Sequence, residues 1–126
     1  MEILSVTRDV DGTAGLVQLP ISDIAFMAYI KKINRVVVHT VEDEFYLMGT
    51  LVFWQTALVA NGHRFISVDR TNVVNIDRIR YLDEIKHNAY FESEPTKKSK
   101  RCTLTNIRFD QIADMIQMPY KSHILA

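Results

Sequence analysis

The sequence predicts a mostly β domain with two short helices. Short runs of β-branched and aromatic residues recur between turn formers along most of the chain. Apolar residues spaced by three and four occur in only two places, after Gly49 and after Thr105. The four glycines, Gly12, Gly15, Gly49 and Gly62, fall between such runs.

The elements follow in order. Val10-Asp11-Gly12-Thr13-Ala14-Gly15 is dense in turn formers and separates residues 3–8 from 16–19, so the first two strands pair across it. Pro20 lacks the N–H a ladder needs and ends the second strand. Residues 24–30, rich in Phe, Met and Tyr, form a third strand, followed by the basic turn at Lys31-Lys32-Ile33-Asn34. The β-branched run 35–40 and residues 44–48 pair around Glu42-Asp43, completing a three-stranded meander. That acidic turn reads as a solvated hairpin rather than a cation site. Thr50 suits an N-cap and Gly62 a left-handed helix end. Between them Leu51, Trp54, Ala57 and Leu58 share one face of an amphipathic helix, with Trp54 placed in the core. Residues 65–68 and 73–76 are extended, and 80–84 pairs with 89–93 around Lys86-His87-Asn88. An exposed loop carries Lys97-Lys98-Ser99-Lys100-Arg101 to a short strand at 102–104. Phe109, Ile112 and Ile116 mark a second helix over 107–117, ended by Pro119.

The 126 residues suit one domain, and 48% hydrophobic with 24% charged content is that of a soluble globular protein. No apolar run approaches the ~18 residues of a membrane span. The start, Met1-Glu2-Ile3-Leu4, is unlike a secretory signal. The single Cys102 excludes an internal disulfide, so a cytoplasmic location is expected. Catalytic motifs are missing, the four histidines are dispersed, and Cys102 has no second cysteine at metal-ligand spacing. The chain is therefore read as no enzyme, with no metal, cofactor or small-molecule substrate.

Net charge is zero, but it is unevenly placed. Residues 1–60 carry four Lys and Arg against seven acids, and residues 61–126 carry eleven against eight, so the halves stand at −3 and +3. Basic and amide side chains converge on three turns. Lys31, Lys32, Asn34 and Arg35 share the first, Arg70, Thr71 and Asn72 the second, and Thr105, Asn106 and Arg108 the entry to the second helix. Arginine pairs bidentately with guanine and asparagine with adenine, whereas Lys, Thr and helix N-termini hold phosphates. The expected ligand is double-stranded DNA. Arg70, Asn34, Asn106 and Arg108 are the expected base readers. Lys31, Lys32, Arg35, Thr71 and Thr105 are the expected phosphate anchors.

Four ordered stretches resemble the LytTR-type DNA-binding domain, found at the C-terminus of many bacterial response regulators and sometimes alone. Leu19-Pro20-Ile21-Ser22-Asp23-Ile24-Ala25-Phe26-Met27 looks like its opening strand, and Met48-Gly49-Thr50-Leu51 like the turn into its first helix. Arg70-Thr71-Asn72-Val73-Val74-Asn75-Ile76-Asp77-Arg78-Ile79 looks like its central signature, and Leu104-Thr105-Asn106 like its closing motif. The resemblance spans nearly the whole chain. It implies an elongated stack of small antiparallel sheets whose loops enter successive major grooves, at sites that are commonly tandem repeats occupied by two copies. It places contact loops on 31–35, Arg70-Thr71 and 105–108, and a phosphate-touching polar group at Thr50. Residues 1–19 would add an N-terminal hairpin to a family core at 20–117.

The chain departs from the family pattern at three positions. Asp69 stands where many members carry His, Ser67 where a basic residue is frequent, and Asn106 where Arg is usual. Fewer basic contacts imply weaker phosphate affinity and a flatter salt dependence. A carboxylate at Asp69 would repel DNA unless it pairs with Arg70 or reads a cytosine amine. Asn75 is read as structural, stabilising a turn through its own backbone. The length leaves no room for a receiver domain of ~100–200 residues beside this one, so control is expected from dimerisation or a partner, or the chain is an excised fragment. The alternative is a protein-interaction domain of the same fold with weakened or lost DNA binding.

Overall fold

Alternating apolar side chains on neighbouring hairpins build two antiparallel sheets in the computed structural model, which describes residues 2–116. The larger sheet uses β1 (Ile3–Thr7), β2 (Leu16–Pro20), β3 (Phe26–Ile30), β4 (Arg35–His39), β5 (Glu44–Leu47), β6 (Phe65–Asp69) and β7 (Asn72–Asn75). Its seven strands run in the order β2-β1-β5-β4-β3-β7-β6. The smaller sheet is β10 (Arg101–Thr103), β9 (Asn88–Tyr90) and β8 (Tyr81–Asp83), in that order. The two helices are α1 (Leu51–Ala60) and α2 (Asn106–Met115). The expected meander is β3–β4–β5, with registers running from Phe26↔His39 to Ile30↔Arg35 and from Val36↔Leu47 to His39↔Glu44. The expected helix end at Gln117 and stop at Pro119 lie outside the described residues.

The pleat sends successive residues of β3 and β7 into two different cores. Phe26, Ala28 and Val74 pack against the smaller sheet and α2, among Leu82, Phe91, Cys102, Leu104, Phe109 and Ile112. Met27 and Val73 face the other way, joining Val36, Val38, Phe45 and Leu47 against Leu51 and Leu58 of α1. Val6 and Leu19 of the first hairpin close this second core. The larger sheet is therefore a middle layer.

Helix α1 differs from the amphipathic expectation. It buries Leu51 and Leu58, yet leaves Val52 73% and Phe53 59% exposed, so it is apolar all round. Trp54 is only partly buried, and its indole N–H donates to the Met48 carbonyl at 2.7 Å. This roofs Gly49, where φ is +103° and an added Cβ would lie 3.1 Å from Trp54 Nε1. Glycine is required there by both backbone and space. Thr50 is the N-cap as expected, its hydroxyl accepting from Phe53 N–H at 3.0 Å.

The third strand starts later than its apolar pattern suggests. Residues Ile21–Asp23 form a 3-10 turn in which Ile24 N–H donates to Ile21 O at 3.0 Å, and pairing begins at Phe26. A second 3-10 turn, Ile76–Arg78, sits beside it, and Asn75 connects the two. Asn75 is 3% exposed. Its Nδ2 donates to Ile24 O at 2.9 Å and its Oδ1 accepts from Asp77 N–H at 3.2 Å. The local turn role is present, together with a tie across 51 residues of sequence. Asn75→Ala orphans the Ile24 carbonyl and the Asp77 amide, and should cost about 2 kcal/mol in urea unfolding.

His39, at the end of β4, stacks on Phe26 with ring centroids 4.3 Å apart. Its Nδ1 lies 3.2 Å from Lys100 Nζ and 3.7 Å from Glu44 Oε1. Burial, then the Lys100 charge, hold its pKa down to about 4 despite the glutamate. The ring is neutral at pH 7 and Nδ1 accepts from the ammonium. Unfolding restores an ordinary histidine, so the unfolded chain binds the extra proton and stability falls with pH between about 6.5 and 4. Replacing His39 by Phe, which keeps the stacking, should flatten that loss by an amount on the order of 2 kcal/mol, read from thermal unfolding across the window.

Candidate nucleic-acid interface

The β3–β4 turn is closed by Asn34, whose φ of +52° is a left-handed conformation that asparagine tolerates. Asn34 N–H donates to Lys31 O at 3.1 Å, and Asn34 Oδ1 accepts from the Tyr29 hydroxyl at 2.8 Å. Lys31 and Lys32 are exposed, and their ammonium groups meet no partner among the described residues. Arg35 is different. Its Nε donates to Val10 O at 2.9 Å, its guanidinium also donates to Asn34 O at 2.9 Å, and Asp11 lies 4.0 Å away. Arg35 thus ties the β3–β4 turn to the β1–β2 loop.

The β6–β7 turn is organised by Asp69. Its Oδ1 accepts from Thr71 N–H at 2.8 Å, from the Thr71 hydroxyl at 3.2 Å and from Asn72 Nδ2 at 3.1 Å. This is an aspartate turn made by the carboxylate itself. Arg70, between the residues so held, is exposed and has no partner among the described residues. Asp69 does not pair with Arg70; its charge is spent on the turn.

Tyr29 joins the two turns. Its hydroxyl holds Asn34, and its N–H donates to Thr71 O at 2.9 Å. The antiparallel register of β3 with β7, Ala28↔Asn72, puts both turns at one end of the larger sheet. The Val36↔Leu47 pair brings Met48, Gly49 and Thr50 to the same end, so α1 starts there with its positive dipole terminus. The acidic residues Glu42 and Asp43 lie at the other end, in the β4–β5 turn near His39.

The third stretch is linked through the smaller sheet. Val68 of β6 shares a core with Cys102 and Leu104. Burial, then the Asp69 charge, push the Cys102 thiol up to about 12, which keeps it protonated and unreactive. Leu104 N–H donates to His87 O at 2.7 Å, and the His87 ring stacks on Phe109 at 4.8 Å. Thr105 caps α2, accepting from Arg108 N–H at 3.2 Å. Arg108 donates to Gln111 Oε1 at 2.9 Å, whereas Asn106 is exposed and its carboxamide has no partner among the described residues.

The structure therefore brings Lys31, Lys32, Asn34, Arg35, Thr50, Arg70 and Thr71 to one end of the sheet, and connects Thr105, Asn106 and Arg108 to it through the core that Val68 shares with Cys102 and Leu104. Of these, Lys31, Lys32, Arg70 and Asn106 have no partner within the described chain for their charged or amide groups. Sequence reasoning gives no sign of the Tyr29 link, because Tyr29 reads there as part of an apolar strand; its place near the strand end is the available signal. Among the described residues no group of His, Cys, Asp and Glu is arranged to hold a metal, and no helix is long and apolar enough to cross a membrane.

Asp69→Ala should lower the unfolding free energy by about 1 kcal/mol. Asp69→Asn should lower it by less, because its Oδ1 still accepts the Thr71 N–H. Denaturant titration of the two variants side by side measures the difference.

The family model of the LytTr DNA-binding domain matches residues 14–107. Among solved structures, the chain is similar to the LytTr DNA-binding domain of a methyl-accepting/DNA response regulator from Bacillus cereus. The likeness covers 94% of this chain and 99% of that one, with a TM-score of 0.66 and 14% identity, a likeness of fold. No curated protein matches the chain.

Proposed function

Because the chain belongs to the family of LytTr DNA-binding domains, we propose that it is a sequence-specific transcriptional regulator that reads the major groove of double-stranded DNA with loops. The observation that carries this reading is the Tyr29 link between two turns, which sets the turns bearing exposed Lys31, Lys32 and Arg70 at one end of the sheet, their charged groups without a partner among the described residues. Side chains left free of internal bonds break no protein hydrogen bond on moving to phosphates or base edges, and lose only hydration and rotamer freedom. Arg70 and Asn106 are the main base readers. Lys31 and Lys32 are the main phosphate anchors, assisted by the Thr50, Thr71 and Thr105 hydroxyls, which already accept or donate within their turns but keep capacity for a phosphate. Asn34 and Arg35 act chiefly by holding the first loop in shape, and Arg108 reads DNA by leaving Gln111. The domain works in the bacterial cytoplasm, and two copies occupy tandem repeat sites. Neutral net charge is compatible with this role because Lys31, Lys32 and Arg70 lie at one end of the larger sheet and the Glu42-Asp43 turn at the other.

A protein-interaction role has one observation in its favour, the exposed apolar face of α1 at Val52 and Phe53. It loses another, since the Asp69 carboxylate is engaged in its own turn. Fluorescence anisotropy over a salt series decides between them. Arg70→Ala should cost ~1–3 kcal/mol of specific binding, whereas Lys32→Ala should weaken all sequences alike and lower the salt slope by about one. Promoter DNA bound no better than scrambled DNA at every salt concentration would overturn the DNA-binding reading.

A further inference from the structure

Two large aliphatic side chains stand in solvent beside the start of α2. Ile107, in its first turn, is 71% exposed, and Ile85, in the β8–β9 turn, is 82% exposed. The two segments are held together where Leu104 N–H meets His87 O at 2.7 Å and His87 stacks on Phe109. Neither isoleucine belongs to a core cluster. A β-branched side chain gives an exposed helical turn no advantage in propensity. Packing and local structure therefore supply no reason for Ile107.

Its neighbour supplies one. Asn106 precedes it, exposed and with its carboxamide free of partners among the described residues. In the major groove, adenine offers N7 and N6–H, which a carboxamide matches with two hydrogen bonds. Thymine offers O4 and a C5 methyl, and the methyl is covered by an apolar side chain. A G·C pair offers neither the adenine edge nor the methyl. A carboxamide followed directly by an isoleucine is thus matched to both halves of A·T. Ile85 adds apolar surface beside it and Lys86 an exposed charge for the flanking phosphate.

We infer that Asn106 and Ile107 form an A·T-reading element, with Asn106 on an adenine edge and Ile107 on a thymine methyl. The inference rests on the proposed DNA-binding role and names what one part of the interface recognises. It makes Ile107 a specificity-determining residue although it carries no polar group.

The test uses the site that wild-type protein selects from a random duplex pool. Each thymine in turn is replaced by deoxyuridine, which removes only the methyl, and affinity is read by anisotropy. Wild type should lose about fourfold at one position, the worth of one apolar carbon brought out of water. Ile107→Ala should bind the thymine and deoxyuridine sites equally, at the weaker level. Asn106→Ala should lose roughly tenfold or more of the preference for adenine over guanine in the same step. Because both side chains are exposed, circular dichroism should show an unchanged fold. Selection of a site in which no methyl matters, or an Ile107→Ala protein that keeps the wild-type thymine preference, overturns the inference and leaves DNA binding standing. A wild-type protein that selects no site overturns both.

Discussion

Strand β3 is the constraint on which the rest depends. Phe26 and Ala28 face one core and Met27 the other, so three consecutive residues hold both layers against the middle sheet. β7 does the same with Val73 and Val74. A shift of one residue in either register would exchange the two faces and empty both cores. The same register determines where the strands stop. It puts the end of β3 beside the start of β7, and Tyr29 then joins the turns that follow and precede them. Loop geometry at the proposed DNA-binding end is thus a consequence of burial two residues away.

Charge is handled locally. The chain is neutral overall, yet its cations differ in availability. Arg35 is committed to carbonyls of two loops, Arg64 to Asp77, and Lys100 to His39 and the Asp43 carbonyl. Lys31, Lys32 and Arg70 have no such commitments among the described residues. Asp69 shows the same economy from the acidic side. Its carboxylate satisfies the backbone and side chains of its own turn, which holds Arg70 outward without pairing with it. Net charge predicts neither pattern, because it counts groups and ignores their hydrogen bonds.

Much of the fold was legible in the residues. The Asp11-Gly12 turn, the β3–β5 meander, the Thr50 N-cap and the 80s hairpin follow from short-range chemistry: positive φ, β-branching and hydroxyl capping. The outer face of α1 was less legible. Val52, Phe53 and Val59 make its sequence apolar in every direction, so periodicity could not say which side the sheet would cover. The start of β3 was hidden in the same way, since Ile24 is as buried as a strand residue while capping a 3-10 turn. Asn75 illustrates both scales: its local turn bond is readable from residue type, but its bond to Ile24 O is not.

The sequence by itself determined the class of fold, the three polar stretches and the family to which their order belongs, because turn chemistry and strand alternation act over a few residues. Tertiary structure decided which polar groups remain available. Arg35 and Arg70 look alike in the sequence, but folding brings the Val10, Ile33 and Asn34 carbonyls to the first and, among the described residues, none to the second. Asp69 reads as a charge facing outward until the turn folds and gives it three donors. Availability depends on what comes within about 3 Å after residues far apart in sequence are packed, and no local pattern records that.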